Sequence, residues 1–153
     1  MKHRFPIYKL RLYRERWLDF PPFVADQPQV AALFFHRLIG LGDREHSAAL
    51  FLDERGQATG ATVIGIGSLG TVAMPAREVF KAALLANASK VVLAHSHPGN
   101  TPNATDQDVV VTRKLVAAGI VVGIKVLDHL IICPSGEFVS IKESGLLPSL
   151  STS

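Results

Sequence analysis

The chain has almost no cysteine: Cys133 stands alone among 153 residues. That excludes an internal disulfide and a cysteine-built zinc knuckle, and a cytoplasmic location is the expectation. No apolar run reaches the roughly 18 residues needed to cross a bilayer, so no membrane partner is expected. The start, "MKHRFPIYKLRLYRERW", lacks the apolar centre of a secretory signal. It also has little negative charge: Lys2, Arg4, Lys9, Arg11, Arg14 and Arg16 face Glu15 alone. Two readings of that excess stay open, a solvated strand face and a phosphate-contacting segment for nucleic acid. Internal repeats and low-complexity segments are absent.

What is present reads as one globular domain: 48% hydrophobic, 19% charged, net charge +3. Residues 1–27 form a basic extension in which Tyr8, Leu10 and Leu12 alternate with Lys9 and Arg11, the pattern of a half-buried strand. Residues 28–147 form the main body, and 148–153 a loose tail. Within the body, "PQVAALFFHRLI" predicts a helix over about 28–39, with proline near its start. Residues 46–53 and 61–69 predict a hairpin. "AREVFKAALLANA" after Pro75 has helical spacing, and "KVVLAH" (90–95) reads as a buried strand. A second long helix is expected from Thr105 to about Ala118, ended by Gly119. Strands follow in "GIKVLDHLIIC" and "EFVSI". The alternation predicts an α/β domain, a mixed sheet covered by helices.

The chemistry sits in "VVLAHSHPGNTPNATDQD" (91–108). Residues two apart on a strand share a face, so His95 and His97 can aim at one point while Ser96 points away. Two imidazoles and a carboxylate suit zinc and leave a fourth position open. Asp108, in the first turn of the next helix, is the natural third ligand. A plainer reading fits the same letters: Thr105 as N-cap and Asp108 completing a capping box. The two are compatible, because a cap would fix the backbone that aims Asp108.

"HSHPGNTPNATDQD" matches the H-[ST]-H-x(7)-S-x(2)-D motif and so resembles the JAMM metalloproteases, the JAB or MPN domain. Thr105 stands where that family has serine. The flanks "LFLDERG", "GSL", "REVFKAALLANASKVVLAHSHP", "VLDHLII" and "GEFVSIKESGLL" resemble the RadC-type branch over about 28–147. RadC-type chains usually carry Asn where Ser96 stands and Ser-Gly where Gly99-Asn100 stand. The resemblance implies a cytidine-deaminase-like fold, a mixed sheet sandwiched by helices. It implies zinc on His95, His97 and Asp108, Thr105 stabilising an oxyanion, and hydrolysis of a peptide or isopeptide amide.

It also implies a catalytic glutamate on an upstream strand, four residues before the glycine of Gly-[ST]-Leu. Counting back from Gly67 gives Val63, which carries no proton. Either the domain binds zinc without efficient hydrolysis, or another carboxylate serves (Glu54, Glu78, Asp106 and Asp128 are the candidates), or the register differs. Glu78 reads as a helix-entry contact of Arg77, and Asp106 as a solvated charge. Asp128 reads either as orienting a metal-bound histidine or as making a strand-end hydrogen bond; His129 reads as packed or hydrogen-bonded, and Cys133 as a core residue. The alternative function is a non-catalytic MPN-type module binding protein or DNA.

Overall fold

The computed structural model describes residues 1–67 and 73–148. Ser68 and Leu69 of the "GSL" sequence, and the tail from residue 149, lie outside the described residues. Among those described, three α-helices and five strands follow one another. They are α1 (Pro28–Phe35), continued by a π-helical turn (His36–Gly40), β1 (His46–Leu52), β2 (Ala58–Ile66), α2 (Ala76–Leu85), β3 (Lys90–Ser96), α3 (Asp106–Val122), β4 (Lys125–Ile132) and β5 (Phe138–Ser140).

The strands form one mixed sheet in the order β2-β1-β3-β4-β5, with β3 and β4 parallel and the other neighbours antiparallel. A parallel pair needs a long crossover, and α3 supplies it. Helices cover both faces. On one, Ala49, Phe51, Val91, Leu93 and Val126 meet α2 (Val79, Phe80, Ala83) and α3 (Leu115, Val116). On the other, Ala48, Leu50, Val92, Ala94, Leu130 and Ile132 meet α1 (Ala31, Ala32, Phe34, Phe35). Cover on both sides explains why β3 reads as an unbroken apolar run rather than an alternating one.

Each helix follows from its own sequence. Pro28 opens α1, where the missing N–H costs nothing. In α2, Val79, Phe80 and Ala83 form a buried stripe. In α3 the stripe is Thr112, Leu115, Val116 and Gly119, at helical spacing, with one polar member.

Two expectations are corrected. The alternation at Tyr8–Leu12 does not make a strand: no strand or helix occurs before α1, and Tyr8, Leu10 and Leu12 are exposed. Alternation specifies a strand only where a sheet edge pairs with it; the one β-bridge of this segment is at Val24–Gln57, and its contacts with the body come from Leu18 onward, far from Tyr8–Leu12. The long helix also runs past Gly119. A Cβ there would lie 2.4 Å from the Ile124 carbonyl oxygen and 3.3 Å from Phe80, so Gly119 permits close packing inside the helix. The left-handed end falls on Gly123, at φ +77°.

Candidate metal centre

The β3-α3 connection builds the site. In the ladder His95 lies beside Ser47 of β1 and Ile131 of β4, and Leu93 beside His129, so these side chains share the sheet face covered by α3. Ser96 points to the other face, where its oxygen accepts the His46 backbone N–H at 3.0 Å. The ladder continues past β3, with His97 N–H donating to the Ile132 carbonyl at 2.8 Å. This extension holds the second histidine at the carboxyl end of the parallel pair, where open α/β sheets bind ligands.

Thr105 then starts α3. Its hydroxyl oxygen accepts the Asp108 N–H at 3.2 Å, and its own N–H donates to Asp108 Oδ2 at 2.8 Å, a complete capping box. The cap aims the carboxylate at the histidines. Asp108 Oδ1 lies 3.2 Å from His95 Nε2, and Oδ2 lies 3.9 Å from His97 Nε2. The two Nε2 atoms are 2.9 Å apart. Capping and convergence are therefore properties of the same aspartate.

Each ring uses its other nitrogen to hold itself in place. His97 Nδ1 donates to the Thr101 carbonyl at 2.9 Å, and His95 Nδ1 bonds to His129 Nε2 at 2.8 Å. The loop carrying Thr101 is itself tied down. Asn100, in the left-handed region at φ +58°, accepts the Ser135 N–H at 3.0 Å. Asn tolerates that backbone better than most residues.

Burial works to raise the Asp108 carboxyl pKa. The hydrogen bond and charge of His95, with the Thr105 bonds, outweigh burial and hold it well below the usual carboxylate range. His129 is fully buried, and desolvation pushes its pKa down to about 3, so the ring is neutral.

Two imidazole nitrogens and a carboxylate oxygen, all within 4.8 Å of one another, form a donor set for a divalent cation. A tetrahedron with bonds of about 2.0–2.1 Å has edges of roughly 3.3–3.4 Å. The Nε2–Nε2 separation of 2.9 Å and the His95 Nε2–Asp108 Oδ1 separation of 3.2 Å lie close to that value, and His97 Nε2 is 3.9 Å from the other carboxylate oxygen, Oδ2. Side-chain exposures of 5% (His95), 13% (His97) and 15% (Asp108) leave one side reachable from solvent. The residues present thus fit a divalent metal ion at a site open to solvent on one side.

The other candidates lie elsewhere. Val63 pairs with Ala48, on the face opposite His95, and lines a groove with Phe20, Phe34, Leu38 and Leu50. Thr62 pairs with Ala49, and Ile64 packs among the α2 and α3 contacts, so these two take the site face. Asp128 is also on the far face. It accepts Ser140 Oγ–H, the Lys142 N–H at 3.0 Å and the His129 N–H at 2.7 Å; burial raises its pKa against the pull of those bonds. It ties β4 to the end of β5 and the turn that follows, and the side chain that orients His95 is its neighbour His129. Glu78 pairs with Lys81 at 2.6 Å rather than with Arg77, and both are solvent-accessible. Glu54 and Asp106 are exposed, away from the cluster. Cys133 is buried, its pKa raised by burial and by Glu137.

One contributor was not foreseen from the sequence. Thr112 Oγ1 lies 2.6 Å from the Asp108 carbonyl oxygen and 2.6 Å from His129 Nδ1. Its signal was present: Thr112 follows Asp108 by one helical turn and is the polar member of an apolar stripe.

Comparison with known proteins identifies relatives of this chain. The model of the RadC-like JAB domain matches residues 24–146. A UPF0758 protein of Methanococcoides burtonii is 44% identical over 104 residues, 68% of this chain and 45% of its own length. A UPF0758 protein of Moorella thermoacetica is 43% identical over 105 residues, 69% of this chain and 45% of its own. One from Methanosarcina mazei is 32% identical over 141 residues, 92% of this chain and 61% of its own. The chain spans about half the length of the relatives it matches. Sheet, helices, capping box and converging ligands carry the motif in one piece, and the chain belongs to the RadC-like JAB domain family.

Proposed function

We propose that the chain is a zinc-binding JAB domain with the site of a peptide or isopeptide hydrolase and an impaired proton-transfer step. One observation carries the reading: His95 Nε2, His97 Nε2 and an Asp108 oxygen converge while each ring's Nδ1 is held by a separate hydrogen bond. Zinc bound there supplies a Lewis acid and a water of lowered pKa. The chain's own residues do the rest. The Thr105 hydroxyl oxygen accepts the Asp108 N–H, so its proton is free for donation to an oxyanion at the mouth of the site. Among the described residues the cluster holds one carboxylate, Asp108, which is occupied as cap and ligand. Thr62 and Ile64, on the β2 face toward the site, accept no proton at neutral pH. Absence of a general base lowers a rate by about 10²–10⁴-fold, so hydrolysis is expected to be slow or undetectable.

The test is zinc content per chain of the purified protein beside His97→Ala, with cleavage of a peptide-linked and an isopeptide-linked reporter. One zinc per native chain and none in the variant supports the reading. Native protein that takes up no zinc ends it.

A second reading, a non-catalytic module contacting nucleic acid through the basic start, draws support from its exposure. All of residues 1–16 are exposed, bringing six Lys and Arg to solvent with Phe5, Tyr8 and Tyr13 among them. Binding to DNA that weakens steeply between two salt concentrations, in zinc-free protein, favours it.

No helix among the described residues is long and apolar enough to cross a membrane.

A further inference from the structure

We infer that Thr112 and His129 are positioning residues that fix which nitrogen of His95 carries the proton, and thereby keep its Nε2 open to a cation. The inference rests on the zinc reading and deepens it.

Thr112 has one hydroxyl proton and two partners, each at 2.6 Å. The Asp108 carbonyl can only accept, so it takes that proton. The hydroxyl oxygen then offers His129 Nδ1 only a lone pair, and Nδ1 must carry the hydrogen. A neutral imidazole has a single N–H, so His129 Nε2 accepts. Its partner at 2.8 Å, His95 Nδ1, therefore donates. The lone pair of His95 is left on Nε2, facing Asp108 Oδ1 at 3.2 Å.

The chain closes on itself. The carbonyl that sets the direction belongs to Asp108, whose carboxylate meets His95 at the other end. Thr112 and His129 are 0% and 1% exposed, so water does not substitute for either partner. Run in reverse, the same bonds would put a hydrogen on His95 Nε2 and shut out the ion. The two ligands are thus set differently: His97 by one backbone carbonyl on an exposed loop, His95 by a buried two-residue relay.

Thr112→Val removes the hydroxyl at nearly constant volume, and Thr112→Ser keeps it. Zinc affinity is read by competition with a chromophoric chelator, and proton positions by long-range proton–nitrogen spectra of the zinc-loaded protein. Thr112→Val should weaken zinc by about 10–100-fold, the usual effect of losing a group behind a metal ligand, and Thr112→Ser should restore it. The native spectrum, which needs no variant, should show His129 protonated on Nδ1 and bare on Nε2. A native His129 protonated on Nε2, or Thr112→Val binding zinc as tightly as native, overturns the inference alone. Native protein with no zinc affinity overturns it together with the proposed function.

Discussion

Asp108 carries two jobs, and substitution can separate them. Asp108→Asn keeps an amide oxygen to accept the Thr105 N–H at 2.8 Å and keeps its own N–H toward Thr105 Oγ1, but it removes the charge facing His95 at 3.2 Å. Thr105→Ala does the reverse: it deletes the hydroxyl that caps the Asp108 N–H and spares both the carboxylate and the residue-105 backbone N–H that holds Oδ2 in place. A lost N-cap costs about 0.5–2 kcal/mol. At roughly 2–4 °C per kcal/mol for a domain of this size, the zinc-free melting temperature of Thr105→Ala should fall by a few degrees, and that of Asp108→Asn should hardly move. Free zinc at 100 times its dissociation constant stabilises the native fold by about 2.7 kcal/mol, a rise of roughly 5–11 °C. Thr105→Ala should keep that rise. If Asp108→Asn weakens zinc about 100-fold, as much as the loss of an outer partner can, the gain at the same zinc concentration drops to about 0.4 kcal/mol. Calorimetry with chelator and with buffered zinc reads all four quantities. An undiminished zinc response in Asp108→Asn would leave the aspartate a cap and nothing more, and the metal reading would fail.

A carboxylate introduced on β2 should help only from the site face: Thr62→Glu or Ile64→Glu should raise reporter hydrolysis at least about tenfold at unchanged zinc content, and Val63→Glu should not; the opposite ranking would refute the face assignment. Gly119→Ala should cost about 1–3 kcal/mol, because its Cβ would lie 2.4 Å from the Ile124 oxygen, and an unchanged denaturant midpoint would refute the packing argument. The His129 pKa is depressed from 6.5 to about 3, so its contribution to stability is complete above about pH 6.5 and is lost as pH falls. In zinc-free protein that loss should reach about 2–3 kcal/mol at pH 4.5, and a His129 ring signal titrating near pH 6.5 would contradict it.

Much of this was legible in the letters. The metal triad and its cap are local: one strand end, ten intervening residues and one helical turn. Strand parity aligns His95 with His97, and the capping rule places Asp108 relative to Thr105. What lay beyond reach was pairing between distant segments. That His129 stands behind His95 depends on the parallel register of β3 and β4, including the shift between Val91 and Val92. Of the two readings of Asp128, the strand-end hydrogen bond holds and the place behind His95 falls to its neighbour His129, because adjacent strand residues face opposite ways. The alternation at Tyr8–Leu12 was visible, but whether a sheet edge receives it is not a local property.

Val63 shows the same limit at the position that matters most for catalysis. On an ideal strand, residues 63, 65 and 67 share a face, and counting back from Gly67 would bring Val63 beside the histidines. The ladder does not run ideally. Ser47 pairs with Gly65 and Ala48 with Val63, so one residue on β1 spans two on β2, and Ile64 is the extra one. A bulge of this kind reverses the alternation beyond it. Gly65 stays in the row of His95, whereas Val63 falls in the row of Ala94, on the far side. The site-facing positions become Thr62 and Ile64. Neither is a carboxylate, so the bulge moves the vacant base position without filling it.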